Sequence, residues 1–288
     1  MGSARAVPAP AVGRSGNGAP AHPAVRRIGA CLVTAVVFDC DGVLADTERY
    51  GHLPAFNATF AQFGLPAHWS EEEYGAKLAI GGGKERMASL FADPAFAAAV
   101  GDSDRTEALL TWHKAKSAAF RKLIDEGRIP PRPGIARIIA AALARGWTVA
   151  VASTSAEESV RAVLADAVGS SVAERVPVFA GDVVPAKKPD PAIYQLAVSR
   201  LGLNKQDTLV VEDSRNGLLA ATGAGLRCLV TVNGYTRDED FTEATLVVSE
   251  LGDPGRKPIE VLANRGAARP GDYLTLDDLR ACLSGGDR

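Results

Sequence analysis

Five places in this 288-residue chain carry side chains that could do chemistry together. The first is Asp39-Cys40-Asp41-Gly42, directly after the apolar run Ala35-Val36-Val37-Phe38. Two carboxylates two residues apart repel unless a cation lies between them, so the pair suggests a hard, oxygen-binding ion such as Mg²⁺. An Asp-rich turn also occurs without any ion. The second is Ser153-Thr154-Ser155, a hydroxyl and turn amides suited to a phosphate oxygen. Ser or Thr after a strand is equally an ordinary helix cap. The third is Lys187-Lys188-Pro189-Asp190-Pro191, a cation just before a helix, against which stands a plain surface lysine. The fourth is Glu212-Asp213. Adjacent acids point different ways, so one can hold a metal while the other holds its water or a neighbour. The fifth is Gly81-Gly82-Gly83-Lys84-Glu85-Arg86, where bare backbone can approach an anion and two cations add charge. A flexible loop before a solvated helix is the bland alternative.

These groups work together only if the fold gathers them. Ala35 to Phe38, Trp147 to Ala152, Val176 to Phe179, Thr208 to Val211 and Leu226 to Val230 are short apolar runs, expected as buried strands. Between them the apolar spacing turns helical. Ile135, Ile138, Ile139, Ala142 and Leu143 make one helix, stopped by Gly146. Val160, Val163 and Leu164 make another. Ile193, Leu196, Ala197 and Leu201 make a third, opened by Asp190-Pro191. Ser214 to Thr222 makes a fourth. This alternation predicts an α/β fold with a doubly wound, mostly parallel sheet and a Rossmann-like core. Ligands bind such sheets at the carboxyl ends of the strands, where four of the five places fall.

One segment breaks the alternation. Residues 52–127 read as helical throughout, with Leu53, Phe56, Phe60 and Phe63 on one face. Leu109, Trp112, Phe120, Leu123 and Ile124 line a second, longer helix. The segment is bracketed by the loop after the first strand and by Pro130-Pro131-Arg132-Pro133-Gly134. It is expected to be a helical cap inserted into a core of residues 34–51 and 128–249, on a two-strand hinge. Trp69, Trp112, Phe56 and Phe60 are assigned to packing inside it. Residues 250–288 form a Gly/Pro-interrupted tail with a short helix at Leu276 to Leu283 and no readable role.

Composition narrows the classes. Hydrophobic residues make up 47% and charged residues 23%, as in ordinary globular chains. A formal net charge of −2 predicts no general attraction to nucleic acid or to anionic membrane. Four cysteines without paired spacing read as reduced thiols in an intracellular protein. Residues 1–33 hold eight Ala, five Gly, four Pro, four Arg and no acid, and are expected to be a disordered extension. They read as a tail in a bacterial cytoplasmic protein, as a transit peptide to a plastid stroma, or as an over-extended start. Only two serines among them count against the transit peptide.

Asp-x-Asp, Ser/Thr, Lys and Glu-Asp, in that order and each at a strand tip, are the four motifs of the haloacid dehalogenase superfamily, which the chain resembles from about Thr34 to Ser249. The insert resembles that superfamily's small helical cap. Asp46-Thr47-Glu48, His52, Ala55-Phe56-Asn57, Gly82-Gly83-Lys84-Glu85-Arg86 and Glu212-Asp213-Ser214-Arg215-Asn216-Gly217 resemble its CbbY-like branch, alongside β-phosphoglucomutase. The spacing from Thr47 to His52 is one residue longer than in many bacterial relatives.

The resemblance implies a Mg²⁺-dependent phosphatase of a sugar bisphosphate, with xylulose-1,5-bisphosphate the leading candidate. Asp39 would be the nucleophile and Asp41 the acid and base. Ser153, Thr154 and Lys188 would bind the reacting phosphate. Asp39, Asp41, Glu212 and Asp213 would hold the metal. Glu48, His52, Gly82, Gly83, Lys84 and Arg86 would bind the rest of the substrate. The partner is then a small phosphorylated sugar, with no nucleic acid, no membrane, and a monomer expected. A phosphosugar mutase would use the same Asp39, and a non-catalytic binding module could use the same fold.

Overall fold

The computed structural model describes residues 1–2, 34–101 and 104–284. The expected disorder of residues 1–33 therefore lies almost wholly outside the described residues. In chain order, β1 (Ala35–Phe38) leads into a helical segment: α1 (Leu53–Gln62), α2 (Glu71–Lys77), α3 (Gly83–Ala88), α4 (Pro94–Val100) and α5 (Arg105–Asp125). The alternating part comes next, with α6 (Ile135–Ala144), β2 (Thr148–Ser153), α7 (Glu157–Val168), α8 (Ser170–Ala173), β3 (Val178–Ala180), α9 (Ala192–Leu201), β4 (Thr208–Glu212), α10 (Arg215–Gly223) and β5 (Arg227–Thr231). Last come β6 (Leu246–Val248), β7 (Val261–Asn264) and α11 (Leu276–Ala281).

The seven strands form one sheet in the order β3-β2-β1-β4-β5-β6-β7, with only the β6–β7 pair antiparallel. The sheet is thus mostly parallel and flanked by helices, as the alternation predicts. β1 is central and all four of its residues are buried. A strand covered on both faces can be continuously apolar, which is why it reads as Ala-Val-Val-Phe. One apolar cluster joins Val36 and Phe38 to Ile135, Ile138 and Ile139 of α6 and Val160 and Leu164 of α7. Another joins Val37 to Ile193 and Tyr194 of α9 and Leu218 of α10 on the other face.

The tail from residue 250 belongs to the first of these clusters. Leu251, Ile259, Leu274, Leu276, Leu279 and Cys282 are buried with it, and β7 extends the sheet. Asp253 accepts from the Gly134 amide at 2.9 Å and from Arg137 Nε at 3.2 Å, fixing the start of α6. The Gly and Pro interruptions that hid this role from the sequence are the turns between these anchors.

The helical segment packs on aromatics. Leu53, Phe56, Phe60, Trp69, Tyr74, Met87, Phe96 and Trp112 form its apolar centre. Phe63 does not share the face expected for it. α1 ends at Gln62, so Phe63 falls past the last helical position and is 38% exposed. The chain leaves β1 and returns to α6 by two passes that bond each other. Asp46 N donates to Pro130 O at 3.2 Å, and Arg132 N donates to Leu44 O at 2.9 Å. Between the outgoing pass and α1 lies a π-helical turn, Glu48–His52. Such a turn holds one more residue than an α-turn. A turn of this kind has room for one extra residue between Thr47 and His52. Among the described residues no helix is long and apolar enough to cross a membrane.

Candidate active site

The strand register sets the site. Phe38 pairs with Val151 on one side and Val211 on the other. One step further, Asp39 emerges between the ends of β2 and β4, its amide held by Val211 O at 2.9 Å. This is where the chain order reverses about β1, the expected place for a ligand crevice in an open parallel sheet. A cavity of about 500 Å³ opens there. It is lined by every residue singled out from the sequence: Asp39, Asp41, Glu48, His52, Gly82, Gly83, Lys84, Arg86, Ser153, Thr154, Lys188, Glu212 and Asp213.

Lys188 organises the floor. Its Nζ donates to Asp39 Oδ1 at 2.6 Å, Glu212 Oε1 at 2.7 Å and Ala152 O at 3.0 Å, so all three protons are used. Glu212 is further pinned by the Tyr194 hydroxyl and by the Asp213 amide at 3.1 Å. It lies flat over Gly217, where any Cβ would fall about 2 Å from its carboxylate. Asp213 Oδ2 accepts from Asn233 Nδ2 at 2.7 Å and sits over Gly42. Gly42 is therefore required twice, by a φ of +74° and by the close approach of Asp213.

Asp39, Glu212 and Asp213 are buried, and one ligand oxygen from each falls within a 4.8 Å cluster. Three acids against one lysine leave excess negative charge in a dry place. Burial, opposed by Lys188 and reinforced by Glu212 and Asp41, pushes the Asp39 carboxyl up to about 8. Burial and then repulsion from Glu212 and Asp39 push Asp213 up as well. An all-oxygen, anionic and partly unbalanced set fits a hard divalent cation. Asp39 and Asp213 are best placed to touch it, since Glu212 is committed to Lys188 and Tyr194.

Asp41 is treated oppositely. Its Oδ1 accepts from Thr47 Oγ1 at 2.7 Å and from His52 Nε2 at 3.1 Å, and its Oδ2 accepts from Ser155 Oγ. Burial acts against its charge but is outweighed by His52 and these donors, which hold the carboxyl well below the usual range. Lys116 Nζ lies 2.7 Å from His52 Nδ1. A lysine donating there leaves the imidazole proton on Nε2, facing Asp41. His52 also stacks on Phe120 at 4.1 Å. The two carboxylates of the Asp-x-Asp pair thus sit in opposite environments: Asp41 is held ionised by its donors, while Asp39 needs a cation beside Glu212 and Asp213 to favour its ionised form.

On the helical side, Arg86 is buried and Glu48 partly buried, and they hold one another. The Tyr74 hydroxyl donates to Glu48, while Arg86 Nη1 reaches that hydroxyl at 2.7 Å and Glu48 at 3.5 Å. Arg86 Nε donates to Ile80 O at 3.3 Å. Arg86 therefore fixes Glu48 and the Gly-rich loop as well as lining the cavity. Lys84 lines it more openly, with Lys187 and His113 nearby.

Thr47 and Ser155, present in the motifs read from the sequence without this role, both donate to Asp41. Sequence reasoning missed Tyr74, His113, Lys116, Tyr194 and Asn233. For Lys116 a signal existed. Trp112, Lys116 and Phe120 recur every four residues, so a lysine interrupts an apolar helix stripe. The others reach the site from sequence positions with no pattern of their own.

Comparison with known proteins agrees with this geometry. The family model described as haloacid dehalogenase-like hydrolase matches residues 33–225. A CBBY-like protein from Arabidopsis thaliana is 47% identical over 77% of this chain and 70% of its own. Protein CbbY from Cereibacter sphaeroides is 41% identical over 78% of this chain and 95% of its own. A crystal structure of a CbbY mutant from Rhodobacter sphaeroides in complex with xylulose-(1,5)bisphosphate superposes with a TM-score of 0.69. It is 38% identical and covers 77% of this chain and 96% of its own. Motifs, site geometry and relatives converge: the chain belongs to the haloacid dehalogenase-like hydrolases, in their CbbY-like branch, and is a hydrolase of the phosphatase kind.

Proposed function

We propose that the protein is a Mg²⁺-dependent phosphatase of a sugar bisphosphate, with xylulose-1,5-bisphosphate the leading substrate. One observation carries this reading. A buried acid edge able to attack phosphorus and a basic, glycine-bounded corner line the same cavity, so a substrate with two phosphates meets complementary charge at both ends. The xylulose-(1,5)bisphosphate bound to the Rhodobacter relative supports the choice of sugar.

Asp39 attacks phosphorus and forms an aspartyl phosphate, dividing one hard displacement into two. Lys188 holds the attacking carboxylate and meets the developing charge on the phosphoryl oxygens, with the Ser153 hydroxyl and the Thr154 amide beside it. Asp39, the Asp41 carbonyl and Asp213, with Glu212 alongside, would hold Mg²⁺, which when bound would supply charge neutralisation for those oxygens. As it stands Asp41 is ionised, which suits it to activate water in the second step. A phosphate dianion arriving beside it raises its proton affinity, so that it takes a proton from solvent and gives it to the leaving sugar oxygen in the first step. The ionised carboxylate left behind then takes a proton from the attacking water in the second. Thr47, Ser155 and His52 aim it in both. Glu48, fixed by Tyr74 and Arg86, offers a carboxylate to sugar hydroxyls.

The test is phosphate release from a panel of sugar mono- and bisphosphates with Mg²⁺. The expected result is a clear preference for a bisphosphate, with one phosphate released per substrate. Interconversion of hexose 1- and 6-phosphates in the presence of a catalytic bisphosphate overturns it in favour of a mutase. No release from any member overturns it in favour of a binding module. As to location, the bacterial relatives fit a cytoplasmic protein, and the plant relative and the acid-free first 33 residues fit the alternative of a plastid stroma. Import of a fluorescent protein carrying residues 1–33 tests that choice.

A further inference from the structure

His113 lies on α5 with its ring at the cavity wall. Its carbonyl is used by Ser117 Oγ at 2.9 Å, which fixes the backbone and leaves the ring to the cavity. Gly83 makes room for it. A Cβ at position 83 would come within 3.0 Å of His113 Nε2 and 3.3 Å of Cδ2. The glycine is thus needed for the imidazole to reach the Gly-rich loop, a reason separate from any approach of backbone to an anion.

The charges facing this ring are unusually one-sided. Lys116 acts on it from its own helix, Lys84 from α3 and Lys187 from the loop before α9, with Glu85 of α3 the opposing charge. Lys187 is only loosely balanced, 3.9 Å from both Glu85 Oε2 and Asp182 Oδ1. Burial and then these lysines lower the imidazole to about 4, so the ring is neutral in the empty site. Among the described residues, this corner has spare positive charge where the opposite wall of the cavity has spare negative charge.

We infer that His113 completes the subsite for the substrate's second phosphate, together with Lys84 and Lys187, and takes up a proton from solvent as that phosphate arrives. A dianion placed among Lys84, Lys187 and His113 offsets the lysine field that adds to burial in keeping the ring neutral, and its charge and oxygen acceptors favour a new N–H on the ring. No other bond forms or breaks in this step. The imidazolium then contributes a charge-assisted hydrogen bond available only to a ligand with a phosphate at this end. The inference rests on the bisphosphate reading, and it makes selection between bisphosphate and monophosphate a protonation event as well as a contact.

The full-length Asp39→Asn protein allows binding without turnover. Titration calorimetry with xylulose-1,5-bisphosphate, in buffers of different ionisation enthalpy near pH 7, reads the protons taken up. The expected uptake attributable to His113 is about half to one proton per ligand, absent for inorganic phosphate and lost in Asp39→Asn/His113→Gln. In that double variant bisphosphate binding weakens roughly tenfold near pH 6.5 and less near pH 8.5, because the imidazolium is scarcer at high pH. Nuclear magnetic resonance of the four histidines in the Asp39→Asn protein gives an answer that needs no stable substitution at 113. The His113 signals should move to the protonated position on adding bisphosphate and stay put with inorganic phosphate. Tight bisphosphate binding with equal uptake in both variants, or with unmoved His113 signals, overturns the role of His113 alone. Failure of the bisphosphate to bind better than inorganic phosphate overturns the substrate reading itself.

Discussion

The two walls of the cavity are built by opposite rules. At the sheet edge every charge is locked: Lys188 spends three protons on three fixed acceptors, and Glu212 is clamped between Lys188, Tyr194 and the Asp213 amide. At the corner formed by the Gly-rich loop, α5 and the loop before α9, Lys187 is held loosely, Lys84 lines the cavity, and the half-buried His113 ring faces open space. Locked charge stabilises a transition state because it needs no reorganisation when the charge develops. Loose charge recognises a ligand because it can adapt to it. On the proposed reading, the contrast puts chemistry at the sheet edge and selection at the Gly-rich corner.

Asp39→Asn strikes the locked wall hardest. An amide is a poor nucleophile and a weaker metal ligand, so turnover should fall by at least ~10³-fold on every phosphate ester while circular dichroism stays native. Activity within tenfold of the parent would remove Asp39 from the nucleophile's place. Removal of divalent cations should be nearly as severe and equally blind to substrate. A chelator should stop phosphate release and added Mg²⁺ restore it, because Asp39, Asp213 and Glu212 otherwise crowd uncompensated charge. Full activity in excess chelator breaks the metal assignment.

Substitutions in the loose wall should be selective where those are general. Lys84→Ala removes a charge-assisted contact worth about 1.5–3 kcal/mol, so kcat/KM for the bisphosphate should drop roughly ten- to a hundredfold. An aryl phosphate has no second phosphate and should be hydrolysed almost as before. Equal loss on both substrates would show that Lys84 serves closure of the helical segment, and no loss on either that it is only a solvated lysine.

The smallest effect falls between the walls, at Lys116. Burial, only partly offset by Glu48 and Asp41, lowers its ammonium from 10.5 to about 8. Between those values the folded protein has shed a proton that the unfolded chain keeps, so this group makes stability rise with pH across the window. Below about pH 8 both forms are protonated and its burial costs most. Denaturant titrations at several pH values should show that rise in the parent and a flatter profile in Lys116→Met. An unchanged profile would mean that Lys116 is charged and well paired throughout.

The locked wall was legible in the sequence and much of the loose wall was not. Asp39, Ser153 and Glu212-Asp213 fall at or next to the ends of short apolar strands, so strand prediction alone carries them to one edge. Lys188 joins them because the helix after it is clearly marked by Asp190-Pro191. His113 and Lys116 come from the middle of a long helix whose apolar spacing reads as packing, and only the folding of α5 over the hinge brings them to Gly83 and His52. Tyr194 reads as a core aromatic because its ring is one, and its hydroxyl matters only once Glu212 lies above it. Phe63 shows the reverse error, a residue of the right type one position beyond the helix that would have buried it.

The π-helical turn at Glu48–His52 makes the length of the hinge negotiable. A wide turn stores one residue outside the regular helical count, so a chain can gain or lose that residue there while the flanking side chains keep their directions. Tyr50, 44% exposed, is the natural residue to give up, whereas Gly51 is wedged against Phe120 and Ile129. A chain one residue shorter at this point is therefore expected to keep the contact between His52 and Asp41.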